Sequence, residues 1–312
     1  MTFRFRLRCP GTLRAALRHK NRCLRTTLLA PAQAVRSPFR TSPQRRSPKG
    51  CLVAATVAAT TGMGLHAAAQ DGAAAEQMGL EIALEAREKR LGFGNFTARQ
   101  NMLLRNKRGQ ESQRELRVKV MEVDGDGDMS LFVFDEPRDV QGTAFLIHAH
   151  KDKGDDQWLY LPALKRVKRI SSGNRSGSFM GSEFAYEDMS PPEVEKFTYR
   201  HLRDEPCGDL TCTVVERTPT DERSGYSRQN VWRDIEERRT WKVEYFDRKG
   251  AHLKTLSLDG YQRYLDRYWQ AGEMTMVNHL TGKATTLTWT DYEFQTDLNA
   301  NDFTQTGLRR IR

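Results

Sequence analysis

The sequence predicts a mostly β protein, a single curled antiparallel sheet with a few covering helices. Short runs in which apolar and polar residues alternate follow one another from residue 96 to residue 294, and turn signals separate them. A sheet of about ten or more strands must curl. Because few segments read as helix, we expect a cavity on the concave side. A closed barrel filled by side chains is the alternative structure.

The elements follow from local patterns along the chain. Residues 72–90 read as one helix with an apolar stripe, and Gly92 and Gly94 end it. A segment near 181–196 and the chain end are the other helical candidates. Strands are predicted over 96–105, 116–121, 129–135, 143–150, 158–162, 211–217, 229–236, 240–247, 252–259, 272–279 and 283–294. The runs 129–135 and 143–150 are apolar on both faces. Residues 106–109, 247–250 and 280–282 carry turn signals.

The first 69 residues read as a basic leader that ends in a signal peptide. An uncharged apolar stretch over about 50–65 follows Arg45 and Arg46, and Ala67 and Ala69 form an A-x-A motif that predicts cleavage after Ala69. Export to the periplasm is therefore predicted. A membrane anchor is the alternative, although the stretch is short and poor in Leu, Ile and Phe. Residues 70–312 then form one domain.

The distribution of charge along the chain argues against a nucleic-acid partner, which the net charge of the whole chain would suggest. The chain has a net charge of +10, but residues 1–70 hold 13 of the 50 Lys and Arg residues and none of the 40 Asp and Glu residues. The remaining 37 basic and 40 acidic side chains give the domain a net charge of −3. A strongly basic protein would suggest nucleic acid, whereas this domain predicts no nucleic-acid partner.

Two cysteines remain in the domain, Cys207 and Cys212. An even pair that is close in sequence, in an exported protein, predicts a disulfide across a tight turn, worth about 2–3 kcal/mol. A metal site would need more ligands nearby, and a redox-active pair would have C-x-x-C spacing.

No motif in the domain predicts catalysis, a cofactor or a metal. Residues 124–128 begin like a calcium loop but lack its Gly and Glu at positions six and twelve, so we expect a solvated turn. His148 and His150 share a strand face without further ligands at suitable spacing, and read as surface histidines. The Gly- and Ser-rich stretch 171–182 lacks the phosphate-binding and nucleophile motifs and reads as a flexible loop. A binding protein is favoured over an enzyme, and a hydrolase is the least favoured hypothesis.

One basic cluster stands out in the domain. It comprises Lys165, Arg166, Lys168 and Arg169, with Arg175 further along, and it lies beside Trp158, Tyr160 and Phe179. A row of cations can protect a solvated strand edge from pairing with another chain. The same row can also contact anionic lipid or a partner protein. Both interpretations stay open at this stage.

Several segments together resemble a known family. These are 158–162, 165–170, 178–189, 277–286 and 301–304. They resemble the LolA-like family of periplasmic outer membrane lipoprotein-sorting proteins, in a divergent branch associated with RND-type exporters. The block from Gly181 to Asp188 is the most specific of them, and Glu183 stands where the family commonly has Asp. The resemblance covers roughly residues 75–312.

The resemblance implies an unclosed LolA/LolB-like β-barrel with a helical lid and an apolar cavity for acyl chains, and it implies no enzyme activity. The leading hypothesis is a periplasmic carrier of a lipid or lipoprotein acyl chain, with an RND-type transporter or an outer-membrane acceptor as partner. The alternative is a cargo-free periplasmic adaptor of an RND-type exporter or envelope complex. We expect the cavity mouth to be flanked by Trp158, Tyr160, Phe179, Met180 and Phe184.

Overall fold

The computed structural model describes residues 63–311, with side chains from residue 70 onward. The basic leader and most of the predicted signal peptide therefore lie outside the described residues. The first element is helix α1, Met63–Arg90, which extends the predicted helix toward the N-terminus. In the described part of the chain, no helix combines the length and the apolar character needed to cross a membrane.

Thirteen strands form one antiparallel sheet. They are β1 Asn95–Arg105, β2 Glu111–Met121, β3 Met129–Glu136, β4 Ala144–His148, β5 Asp156–Leu161, β6 Arg166–Arg169, β7 Phe197–Cys207, β8 Leu210–Pro219, β9 Tyr226–Asp234, β10 Thr240–Asp247, β11 His252–Asp259, β14 Glu273–Asn278 and β15 Ala284–Phe294. Strands β12 Gln262–Tyr264 and β13 Tyr268–Gln270 form a separate hairpin. A short helix α2, Gln305–Leu308, follows at the end of the chain.

The sheet is built from two meanders that meet in the middle. Its order is β6-β5-β4-β3-β2-β1-β15-β14-β11-β10-β9-β8-β7, so the pairing of β1 with β15 joins the two halves. Strands β6 and β7 are the two edges and do not pair with each other. The predicted large antiparallel sheet is therefore confirmed, and it is not closed into a barrel.

The chain passes from one edge of the sheet to the other through residues 170–196, which we call the crossing segment. Phe179 contacts Phe145 of β4, with ring centroids 5.0 Å apart. The backbone N–H of Glu183 donates to Thr285 of β15 at 3.0 Å. Glu187 accepts from Ser224, just before β9, at 2.7 Å. The segment thus contacts strands across nearly the whole width of the sheet, on its concave side.

Side-chain alternation divides strands β3–β5 between two clusters. Phe132, Phe145 and Leu159 belong to the main core on the concave face. Residues one position away along the same strands, including Leu146 and Trp158, pack on the opposite face beneath Phe303 and Leu308 of the C-terminal segment. Both faces of these strands are buried, which accounts for the apolar runs at 129–135 and 143–150.

Three parts of the fold differ from the sequence prediction. The segment near 181–196 holds two short 3-10 helices, Tyr186–Met189 and Val194–Lys196, and no α-helix. Pro191 and Pro192 between them lack the N–H groups that a continuous helix needs. Strands β6, β7, β12 and β13 were not predicted. The 171–182 stretch is anchored by the fully buried Phe179, in contrast to the flexible loop expected there.

The two cysteines of the domain lie at the β7–β8 turn. Cys207 and Cys212 form a disulfide, with Cα atoms 5.7 Å apart. Cys212 packs with Val214 and Trp232 on the outer face of β8 and β9. The bond therefore links the last residue of the edge strand β7 to the body of the sheet.

Candidate functional site

The concave face of the sheet contains a cavity of about 400 Å³. Much of its wall is apolar and is contributed by strands from both halves of the sheet. The apolar wall includes Phe93, Phe96, Val120, Phe132, Val231, Val243, Leu256 and Met274. Such a wall is typical of sites for apolar ligands. The cavity agrees with the expectation that a curled sheet with few helices leaves space on its concave side.

A second cavity, of about 710 Å³, shares part of this wall. Residues that line both cavities include Pro191, Pro192, Arg217 and Arg233. The C-terminal part of α1 and the β12–β13 hairpin complete the second cavity. Its lining contains nine Arg or Lys side chains and only three Glu side chains. Cationic side chains therefore outnumber carboxylates in this lining, although Arg87, Arg90 and Arg239 pair with carboxylates behind it.

Ion pairs hold the charged side chains at the rim of the first cavity. Arg90 at the end of α1 lies 2.8 Å from the buried carboxylate of Asp128. Arg175 in the crossing segment lies 2.6 Å from Asp221. These pairs tie the helix and the crossing segment to the loops between strands.

Acidic residues of the crossing segment also face the first cavity. Glu187 accepts from Ser224 and from the N–H of Gly225 at 2.9 Å, and burial raises the pKa of its carboxyl group despite these bonds. Asp188 accepts from the hydroxyl of Tyr226 at 2.8 Å and lies 3.7 Å from the ammonium of Lys254. Each carboxylate thus has protein partners of its own.

Two arginines point to a different kind of site. Arg217 on β8 and Arg233 on β9 are 7% and 8% exposed. Nε of Arg217 donates to Gln229 at 2.7 Å, and its guanidinium lies 4.8 Å from the ring centroid of Phe197. The guanidinium of Arg233 has no hydrogen bond to any described residue, and its Nη1 is fully enclosed. Burial and the nearby charge of Arg217 lower the pKa of Arg233 to about 10, so that it stays charged at neutral pH.

The sequence and the fold of this chain both match known proteins. A family model described as an uncharacterized protein matches residues 126–310. A domain from Vibrio parahaemolyticus, named as an outer membrane lipoprotein-sorting protein, is 54% identical; the match covers 75% of this chain and 100% of that one, with a TM-score of 0.74. The chain belongs to the LolA-like outer membrane lipoprotein-sorting family.

Two further structures share the fold of this LolA-like protein. A DUF1329 family protein from Desulfovibrio piger is 25% identical, with a TM-score of 0.72 over 75% of this chain and 99% of that one. A LolA superfamily protein from Nitrosomonas europaea is 21% identical, with a TM-score of 0.60 over 73% of this chain and 97% of that one. A search of the curated proteins finds no match.

The five residues expected at the cavity mouth lie in two places of the LolA-like fold. Trp158 and Tyr160 pack in the cluster on the outer face, under the C-terminal segment. Phe179 and Phe184 are buried in the main core, and Met180 packs against it. None of the five lines either cavity described above. Trp158 and Tyr160 face away because they alternate with Leu159, whose side chain takes the concave face.

The basic cluster divides in a similar way. Lys165, Arg166, Lys168 and Arg169 are exposed on and beside the edge strand β6, where Arg169 pairs with Asp156. Arg175, grouped with them in the sequence, is instead held at the first cavity by Asp221. The placement on an edge strand is the one that the edge-protection interpretation requires.

The imidazole rings of His148 and His150, which the sequence analysis considered as a metal-binding pair, form hydrogen bonds within the protein. His148 bonds through Nε2 to the carbonyl of Phe303 at 2.7 Å. His150 bonds through Nδ1 to Asp126 at 2.7 Å. Among residues 70–311, no group of three or more His, Cys, Asp or Glu side chains is arranged to hold a metal ion.

The sequence reasoning missed the two buried arginines. Their positions in the sequence indicate which face of the sheet they occupy. Arg217 follows Val215 by two residues, and Arg233 follows Val231 by two. Side chains two apart on a strand share a face. Continuing the alternation of β8 and β9 for two more residues would have placed both arginines on the buried, concave face of the sheet.

Proposed function

We propose that this protein is a periplasmic carrier that holds the acyl chain of a lipid or lipoprotein in the cavity on the concave face of its sheet. The observation that carries the proposal is the apolar wall of that cavity, in a protein 54% identical to an outer membrane lipoprotein-sorting domain. Each buried CH2 group contributes about 0.8 kcal/mol, so that one chain could supply useful affinity.

The test compares two neighbouring positions on strand β11. Leu256 lines the cavity, whereas Ser257 is exposed on the other face. We expect Leu256→Trp to fill the cavity and to weaken binding of the apolar fluorophore N-phenyl-1-naphthylamine at least tenfold. Ser257→Trp should leave binding unchanged. Should Leu256→Trp fail to fold, Leu258→Phe, which also lines the cavity, replaces it.

A second measurement uses the natural cargo. Protein purified from the periplasm without detergent should carry lipid that native mass spectrometry detects, and the variant Leu256→Trp should carry less. If the purified protein holds no lipid and the fluorophore binds neither variant nor unmodified protein, the carrier function is wrong.

The second candidate is a cargo-free adaptor that docks on an RND-type exporter or another envelope complex. The exposed cations Lys165, Arg166 and Lys168 beside the free edge of β6 favour it, because they offer a charged docking edge. An adaptor should capture its transporter while empty, and Lys165→Glu with Arg166→Glu should abolish capture. Lipid binding should not change in that variant, which separates the two functions.

A further inference from the structure

The wall shared by the two cavities holds two buried arginines without an ion-pair partner among the described residues. Arg217 and Arg233 form no ion pair with any described carboxylate, and Arg217 has only an amide oxygen and an aromatic ring as partners. Taking a charged group out of water without a counter-ion is costly. A fold that keeps two such groups together has either another role for them or a ligand that supplies the missing charge.

The carboxylates around the first cavity are already engaged. Four of them form ion pairs: Asp128 with Arg90, Asp221 with Arg175 and Arg223, Asp155 with Lys196, and Asp188 with Lys254. Asp188 also accepts a hydrogen bond from Tyr226. The fifth, Glu187, accepts hydrogen bonds from Ser224 and Gly225. No described acidic side chain of this wall remains to turn toward Arg217 or Arg233. A bound ligand is therefore the source of negative charge that this wall leaves open for Arg217 and Arg233.

We propose that the bound molecule is an acidic amphiphile, whose carboxylate or phosphate head is held by Arg217 and Arg233 and whose apolar chain occupies the first cavity. The inference rests on the carrier function proposed above and names the chemical class of its ligand. Both arginines line both cavities. The head group would thus sit between the apolar first cavity and the second cavity, with its chain directed away from the two arginines.

The second cavity fits a route for such a molecule. Its lining is rich in cations, and Arg263 and Arg267 on the β12–β13 hairpin are exposed at its border. Clefts lined by one sign of charge concentrate ligands of the opposite sign and speed their association. A neutral lipid would gain nothing from this arrangement.

The test uses ligands that differ only in the head group. Palmitate and hexadecyl phosphate carry an acidic head on the same sixteen-carbon chain as the neutral hexadecanol, and each is titrated against bound N-phenyl-1-naphthylamine. We expect both acidic ligands to displace the fluorophore at concentrations at least tenfold lower than hexadecanol. A tenfold preference corresponds to about 1.4 kcal/mol, which charge-assisted hydrogen bonds readily supply. The stronger of the two acidic ligands identifies the head group as carboxylate or phosphate.

The variant Arg217→Met with Arg233→Met assigns the preference to the two arginines. It should bind hexadecanol as the unmodified protein does and lose the preference for acidic ligands. Its melting temperature without ligand should stay close to that of the unmodified protein, because the removal of two buried charges offsets the loss of the hydrogen bond from Arg217 to Gln229. Arg166→Met, on the exposed edge strand, is the matched control and should keep the preference. If the double variant fails to fold, Arg233→Lys is measured in its place. We expect that variant to keep part of the preference for acidic ligands.

The outcomes separate the two proposals. Equal binding of acidic and neutral ligands, or a preference that survives in Arg217→Met with Arg233→Met, overturns the acidic-ligand inference and leaves the carrier function intact. Binding of none of the three ligands and no fluorophore signal overturns the carrier function itself, and the inference with it.

Discussion

At the scale of the residue, Gly79 decides how closely α1 can approach the sheet. A Cβ atom at this position would lie 2.8 Å from the backbone nitrogens of both Arg200 and His201 on β7. Backbone atoms of a paired strand cannot easily move aside. The neighbouring residues Ile82 and Ala83 depend on this approach, because they pack with Tyr199 and Val215 in a small cluster under the helix.

We therefore expect Gly79→Ala to destabilise the protein by about 1–3 kcal/mol, as overpacked sites do. This loss should exceed the gain of about 0.5–1 kcal/mol that Ala brings to a helix interior. Gly72→Ala is the matched control on the same helix, because nothing lies within 4 Å of its added Cβ. Urea unfolding measures both variants. Equal stability of the two would mean that α1 does not rest on β7 as described.

Also at this scale, the sequence yields the apolar residues of the site more readily than the polar ones. Val231 and Leu256 follow from simple alternation. Arg217 and Arg233 do not, because a charged residue in an alternating strand is ordinarily assigned to the solvent face. For Trp158 and Tyr160 the sequence prediction was wrong in the opposite direction. It assigned these aromatic side chains to the ligand site, whereas they are buried on the other face of the sheet, under the C-terminal segment.

At the scale of the element, the crossing segment is held to the sheet chiefly by Phe179. Its ring is fully buried against Phe134, Phe145 and Tyr186, with centroids 5.0–6.0 Å apart. Glu183 adds polar contacts, since Asn278 donates to its carboxylate at 2.7 Å and Lys254 donates to its carbonyl at 2.8 Å. These contacts join two of the segments that carry the family resemblance, 178–189 and 277–286.

We expect Phe179→Ala to cost about 3–5 kcal/mol, in the range of buried Phe to Ala substitutions. The loss should be local first, so hydrogen exchange should rise in residues 170–196 before it rises in β1, β2 and β15. Asn174→Ala, exposed in the same segment, should change neither quantity. Uniform loss of protection over the whole sheet would show that the segment does not open on its own.

Two of the strands that sequence analysis missed, β6 and β7, share a physical reason. Strand β6 reads Arg-Val-Lys-Arg and β7 contains Arg200, Arg203, Asp204 and Glu205, so neither shows the apolar alternation of a strand with a buried face. Both are edge strands, where charged side chains are common. Strands β10 and β11 were predicted with their correct bounds, because buried side chains alternate with less buried ones along each of them.

At the scale of the whole molecule, the distribution of charge separates the leader from the domain. The leader holds 13 basic side chains and no acidic ones, whereas the domain has a net charge of −3 and places nine Arg or Lys side chains along its second cavity. The described side chains of α1 also pack within the domain. Gly79, Ile82, Arg87 and Arg90, through which the helix contacts the rest of the structure, all follow residue 69.

Removal of the leader after Ala69 would therefore leave every one of these contacts in place. We expect the exported protein to begin at Gln70, which intact mass and N-terminal sequencing would show. Ala67→Leu or Ala69→Leu should block processing, because cleavage requires small residues at both positions of the A-x-A motif. Ala68→Leu, between them, should be processed normally. Membrane-bound protein that keeps the leader without any substitution would favour the anchor alternative over cleavage, because a cleaved leader leaves the domain free of the membrane.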